Sequence, residues 1–259
     1  MSVRMAYLGM RFKETWAYRI EILMWVLKPM LQLILLATVW RAVYNGHSSM
    51  DGVPLVVMTT YVSLSAMHTL LMQDNMPDWV EERVRDGLIG ADMLRPMSLL
   101  EQVVWGSVSQ VIMKLVLLVF VIPVAAIFSG LTPPAAIGPY LVAALLGWMI
   151  NTCLMMLMSA VVFWTLEMGG MTFLYYTISG FLSGALVPLW FMPGWLAGII
   201  GALPFQATVY TPVAIYVGQI GGGAAWQAIG VQGIWLVLLA ALVALVWRSA
   251  ERRVVVQGG

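Results

Sequence analysis

Charge is scarce in this chain. Lys, Arg, Asp and Glu make up 10% of its 259 residues, where a soluble domain carries about 25%. A polypeptide that is 61% hydrophobic cannot cover its own surface in water, so a soluble fold is excluded and a bilayer is the expected solvent. Cysteine is nearly absent. Cys153 stands alone, which rules out an intramolecular disulfide and a cysteine-based metal site. The two histidines, His47 and His68, belong to no metal-ligand pattern. There are three lysines, Lys13, Lys28 and Lys114, and none follows a glycine. A phosphate-cradling loop ending in Gly-Lys-Ser/Thr is therefore missing, and with it any ATPase site of the chain's own. No nucleophile–base set and no carboxylates at catalytic spacing stand out, so no catalytic residue is expected and a membrane-embedded enzyme is disfavoured. The net charge of +1 gives no reason to expect nucleic acid.

What is present is a series of long apolar runs. They predict an all-α polytopic membrane protein of a single domain, residues 1–259, with six transmembrane helices at 22–44, 54–73, 99–128, 139–166, about 170–186 and 228–247. The second run is polar for a span, with Thr59, Thr60, Ser63, Ser65 and His68. Residues 1–21 interleave Arg4, Arg11, Lys13, Glu14, Arg19 and Glu21 with Tyr7, Phe12 and Trp16. That pattern suits an amphipathic helix in the membrane interface, or else a solvated arm. The first apolar run is too long for a signal-peptide core and no small-residue cleavage site follows, so a cleaved leader is not expected. Between Met168 and Trp247 there is no charge at all. Those residues are too many for two spans, and Lys/Arg placement decides the count. Segments 1–21, 74–101 and 248–259 hold four, three and three Lys/Arg, and segments 45–53, 129–138 and 187–227 hold none. The positive-inside rule then puts both termini in the cytoplasm and requires an even number of crossings. The excess, 187–227, carries Pro188, Pro193, Pro204, Pro212 and Gly221–Gly223, and reads as short re-entrant helices on the outer side. Irregular backbone at that depth survives only when protein or a watery cavity covers it.

The charge that does exist is concentrated. Residues 74–101 hold ten of the twenty-five formal charges. Asn75 reads as an N-cap with Pro77 just inside the helix and Asp78 and Glu81 in its first turn. Val80, Val84 and Leu88 recur every four residues, and Gly87 is a stop signal. A short element from Leu88 to Leu94 ends before Arg95-Pro96. Ser98 and Glu101 then form a capping box for the third span. A helix fixed between two spans, with mixed charge and with Leu88, Ile89 and Leu94 to fill a groove, suits force transmission from a partner. An ordinary wet loop explains the charge equally well.

Gly87-Leu-Ile-Gly-Ala-Asp-Met-Leu-Arg-Pro96 resembles the cytoplasmic coupling segment of type-2 ATP-binding-cassette exporter permeases. Ser183-Gly-Ala-Leu-Val-Pro-Leu-Trp-Phe-Met-Pro-Gly-Trp195, Leu203-Pro-Phe205 and Tyr210-Thr-Pro212 resemble the family's proline-marked outer segment. Trp40-Arg41-Ala-Val-Tyr44 fits the close of its first span. The resemblance implies a six-span half-permease of the inner (plasma) membrane. A second permease subunit, identical or related, would complete the pathway. Separate cytoplasmic ATPase subunits would bind the ATP and Mg, and no cofactor would sit in this chain. It also implies that Val84, Arg85, Gly87, Leu88, Ile89, Leu94, Arg95 and Pro96 receive the ATPase stroke.

Three charges fall inside spans. Lys28 is shallow enough for its amine to snorkel to the inner surface. Lys114 sits about 20 Å beyond Glu101 along a helix, near mid-membrane, where an unpaired charge is costly. It either binds an anionic substrate group or bridges helices through backbone carbonyls. Arg41, beside Trp40 at the outer end of the first span, is an interfacial anchor or part of an outer gate. Trp40, Arg41 and Lys114 are thus the candidates for a substrate pathway. Gly180 and Gly184, flanked by serines, offer a close-packing face for a dimer seam. Greasy spans and an uncharged outer segment favour export of an amphiphilic or hydrophobic substrate such as a drug, a lipid or a lipid-linked molecule. The rival class is an energy-independent channel or secondary transporter, for which only Lys114 supplies a coupling group.

Overall fold

A computed structural model describes residues 3–17, 19–165 and 168–257. Among the described residues the only strands are Ser49–Met50 and Val53–Pro54, paired as a small antiparallel hairpin, and the rest of the regular structure is helical. Helix α1 is Val3–Ala17, α2 Arg19–Tyr44, α3 Leu55–Met72, α4 Met76–Arg85, α5 Ile89–Met93 and α6 Leu99–Ser129. Then come α7 Ile137–Ala160, α8 Val162–Thr165, α9 Gly169–Leu182, α10 Gly194–Gly201, α11 Tyr210–Tyr216 and α12 Gly222–Gln257. Among the described residues five helical stretches are long and apolar enough to cross a membrane: Ile22–Tyr44, Leu55–Arg85, Leu99–Ser129, Ile137–Thr165 and Gly222–Ala250.

The expected fifth span is shorter. Helix α9 has 14 residues, or about 21 Å at 1.5 Å per residue, less than the ~30 Å hydrocarbon core. It stops because Gly184 turns the chain with φ at +76°, and Leu189, Tyr210 and Tyr61 crowd the place where a Cβ would stand. Gly184 is therefore buried in its own chain, beyond the helix end. It shares no helical face with Gly180, so the close-packing face expected from their spacing is not formed on α9. The last helix also begins earlier than expected, at Gly222. Glu167, whose place between the fourth and fifth apolar runs suits it to capping a turn, lies outside the described residues.

The polarity of the second span has a structural cause. Helix α3 is the central helix, and thirteen of its eighteen residues are buried. Three of its hydroxyls bond to α6 or the loop after it. Thr59 Oγ1 donates to the Ser129 carbonyl at 2.9 Å, and Ser63 and Ser129 share a hydrogen bond. The Thr132 amide donates to Thr60 Oγ1 at 3.1 Å, and His68 Nε2 meets the Tyr140 hydroxyl at 3.2 Å. Around α3 pack α2, α6, α7 and α11, while α12 lies along α7. The outward ridge of α2, at Leu23, Leu27, Leu31 and Leu35, is exposed, as a lipid-facing surface requires.

Two apolar cores form at opposite ends. One, with Tyr44, Met58, Tyr61 and Val213, lies under the 185–220 segment. The other, with Met76, Val80, Ile89, Val103, Phe163 and Trp247, lies against α4 and α5, and this end is here termed the elbow end. The 187–221 segment is folded as expected into short pieces, with 3-10 turns at Leu189–Phe191 and Pro204–Ala207 beside α10 and α11. It is pinned to the bundle. Gln232 Nε2 on α12 donates to Ala143 O at 3.0 Å and Ala207 O at 2.8 Å. Gly147 of α7 lets that turn come close, because a Cβ there would stand 2.8 Å from Ala207 O and 3.0 Å from Thr208 O. Both obstacles are backbone and cannot swing aside. Gly147→Ala is accordingly expected to cost about 1–3 kcal/mol by overpacking. The check is the thermal midpoint of the purified protein, with Gly138→Ala, which meets nothing within 4 Å, as the control expected to change little.

Candidate functional site: the elbow and the cavity beside it

The charged segment folds as helix, break, helix. Pro77 opens α4, but Asn75 makes no cap bond; Asp74 Oδ1 accepts from the Met76 amide at 3.0 Å instead. Gly87 adopts φ +69° and ends the helix. The capping box of Ser98 and Glu101 is complete in both directions. Arg4 Nη2 adds a donation to Glu101 Oε1 at 2.6 Å.

The eight residues assigned to coupling by resemblance divide in two. Arg85, Gly87, Leu88, Leu94 and Pro96 are exposed, and Leu94 is 88% exposed. Val84 and Arg95 are half-buried. Ile89 corrects the expectation that it fills a partner's groove, because it is 6% exposed and packs into the elbow core. The element α5 is held from below by Asp92, whose carboxylate is 1% exposed and lies 3.1 Å from Arg95 and 3.6 Å from Arg83. Gln102 of α6 adds two donations, to Asp92 O at 2.8 Å and Met97 O at 3.2 Å, and accepts from Arg95 at 3.2 Å. A surface-exposed leucine at the apex thus stands on a buried charged and hydrogen-bonded base.

The base is tied to the rest of the bundle. Glu81 Oε2 on α4 accepts from the Met168 amide at 3.2 Å, which holds the start of α9. Tyr176 on α9 donates to Asp74 O, and Ser107 on α6 donates to the Asp74 carboxylate. The elbow is thus bonded directly to α9.

Between α2, α3, α7 and α9 lies a cavity of about 280 Å³, lined among others by Lys28, Gln32, Thr69, Asn151, Tyr175, Tyr176, Ser179 and Phe205. A second of about 420 Å³ shares Lys28, Gln73, Tyr176 and Thr177 with it and adds Trp25, Asp74, Asp78 and Lys114. Among the described residues Lys28 is the only cation that lines the first cavity. The sequence reading assigned it to snorkelling and missed this role. Lys28 and Gln32 stand four apart on α2, a polar pair on one face of an apolar helix, and that spacing was the available signal.

The pathway candidates read from sequence fall elsewhere. Trp40 is buried at 8% exposure and stacks on Phe191 at 5.2 Å, so it serves the far-end core rather than an open passage. Arg41 donates to Phe128 O and so caps the last turn of α6. Lys114 is buried midway along α6, donates to Gln73 O, and has its ammonium 4.9 Å from the Trp25 ring centre. It bridges helices through a carbonyl, the second of its two sequence readings, while also touching the second cavity.

A chain whose apolar helices, buried polar α3 and charged elbow are arranged in this way is a polytopic membrane subunit. Residues 26–258 match the family described as ABC-2 family transporter protein, and the chain belongs to that family. No curated protein matches it in sequence. The family comprises the membrane subunits of transporters that normally work with a cytoplasmic ATPase and generally have no ATPase site of their own.

Proposed function

We propose that this chain is the permease subunit of an ATP-driven exporter in the plasma membrane, with both termini and the elbow in the cytoplasm. It crosses six times, α9 with the turn after it making the fifth crossing, and α1 lies along the inner interface. A second permease copy or a related chain completes the pathway. ATP and Mg are bound by the ATPase partner, which docks on Leu88 and Leu94. The observation that carries this reading is the elbow. An apex leucine exposed to solvent is supported by a buried Asp92 cluster, and the same unit is bonded to α9, the wall of the cavity. Lys114 donates to Gln73 O and lies against the Trp25 ring, which favours a helix bridge over the coupling group that the rival channel or secondary-transport reading needs.

The substrate is an amphiphile. Tyr175, Tyr176, Leu154 and Phe205 offer its apolar part a surface, and Lys28 offers its headgroup one positive charge. Transport into vesicles containing the permease and its ATPase tests this, with movement of small hydrophilic ions alone as the contrary outcome. Lys28→Gln is expected to lower stimulation of ATP hydrolysis by anionic amphiphiles about tenfold, since a hydrogen bond to a charged group is worth about 1.5–3 kcal/mol. Neutral amphiphiles should lose less than threefold; an equal loss for both would remove Lys28 from headgroup recognition.

A further inference from the structure

A separate cavity of about 390 Å³ lies between α1 and the elbow. Its wall carries Arg11 and Lys13 from α1, Arg83 from α4 and Arg95 from the turn after α5. Among the described residues Glu14 is the one acid in that wall, and it is paired with Arg11 at 3.0 Å. Asp92, behind Arg83 and Arg95, and Asp74, which interacts electrostatically with Arg11, are further nearby counter-charges among the described residues. Four cations against these three carboxylates leave the site positive by one. Trp79 holds the two sides together. Arg11 of α1 lies 5.2 Å from its ring centre, and Arg83, one turn further along α4 itself, lies 5.4 Å from it. The site thus gathers three guanidinium groups and one ammonium around one opening. Its floor is α1, whose Val3, Met5, Met10, Phe12 and Trp16 are exposed as a bilayer-facing helix requires.

We infer that this cavity binds the phosphate headgroup of an anionic phospholipid, with Arg11 and Lys13 reaching from the interfacial helix and Arg83 and Arg95 from the elbow. Guanidinium groups suit phosphate oxygens because they present paired donors in a plane. A lipid held there would fasten the elbow to the inner leaflet, so that its stroke acts against the membrane and not on a loose loop. The inference rests on the reading that α1 lies at the inner membrane surface, but it needs no ATPase and no transported substrate.

Native mass spectrometry of the purified full chain, titrated with phosphatidylglycerol or phosphatidylcholine, separates these points. Retention of phosphatidylglycerol at least fivefold above phosphatidylcholine is expected. Arg11→Gln combined with Lys13→Gln, both on α1 and outside the Asp92 cluster, should remove that preference. The charge-preserving pair Arg11→Lys with Lys13→Arg should keep most of it, and so should Arg248→Gln with Arg252→Gln at the end of α12. Unchanged preference in the α1 double variant, or equal loss in the α12 control, would overturn the assignment. Complete displacement of the lipid by millimolar inorganic phosphate would also overturn it, because the site would then be one for free phosphate. So would intact lipid preference combined with lost ATPase recovery in the α1 double variant, which would make the cavity part of the protein interface.

Discussion

Leu94→Asp is expected to strip the ATPase from the purified complex and with it all nucleotide-driven transport. Leu94 is 88% exposed and supports nothing in its own chain. Its replacement should change stability by no more than about 0.5 kcal/mol, as surface substitutions generally do. In a partner's groove the same change puts a charge where an apolar anchor sat. A loss of at least about 2 kcal/mol follows, or roughly thirtyfold in affinity. Recovery of the ATPase with affinity-tagged permease measures it. Leu88→Asp, at 41% exposure, should show the same direction with a smaller effect. Ile89→Asp should behave differently and lower the thermal midpoint, because Ile89 belongs to the elbow core. Replacing the whole stretch from Leu88 to Leu94 would confound the two, since it removes Ile89 and Asp92 together with the apex.

Asp92→Ala is expected to leave the ATPase bound but uncoupled. The change leaves Arg83 and Arg95 without their buried carboxylate. Breaking a buried pair costs about 3–5 kcal/mol. Here roughly 2 kcal/mol is the better figure, because the two arginine side chains are 23% and 35% exposed and water takes up part of the charge. The apex leucine remains, so partner recovery should stay within twofold of the parent. Its base is loosened, so substrate moved per ATP hydrolysed should fall at least tenfold. Asp92→Asn, which keeps the shape and one acceptor, should fall between the two. Full transport stoichiometry in Asp92→Ala would mean that the stroke does not pass through this cluster.

Which parts of this were legible in the sequence follows from where landmarks exist. The cap at Ser98 and Glu101 and the stop at Gly87 depend on local backbone chemistry, and the structure has both. The long spans were legible because apolar length alone defines them. The polarity of the second span was visible but ambiguous, since buried hydroxyls on a central helix look like pore-lining ones until Ser129 and Thr132 are seen opposite them. Helix α9 was overextended because no charge between Met168 and Trp247 marks an end, and Gly184 was taken as part of a helix face when its positive φ ends the element. The burial of Ile89 and Asp92 was hidden because a five-residue helix has too few turns to show a period. Trp40 and Lys114 were read as pathway residues from their height along a helix. Height does not say which side a residue faces, and that side was set by Phe191 and Gln73, which lie far from them in sequence.

Photocrosslinking from position 94 tests the docking of the ATPase most directly. A benzophenone placed through Leu94→Cys in a Cys153→Ser background, irradiated in native membranes, should yield a covalent adduct with a subunit that carries a Gly-Lys-Ser/Thr phosphate loop. The same probe at Trp226, near the opposite end of the bundle at the start of α12, should give none. Adducts from position 94 only with lipid or with externally facing proteins, or the same ATPase adduct from position 226, would contradict an elbow gripped from the cytosol.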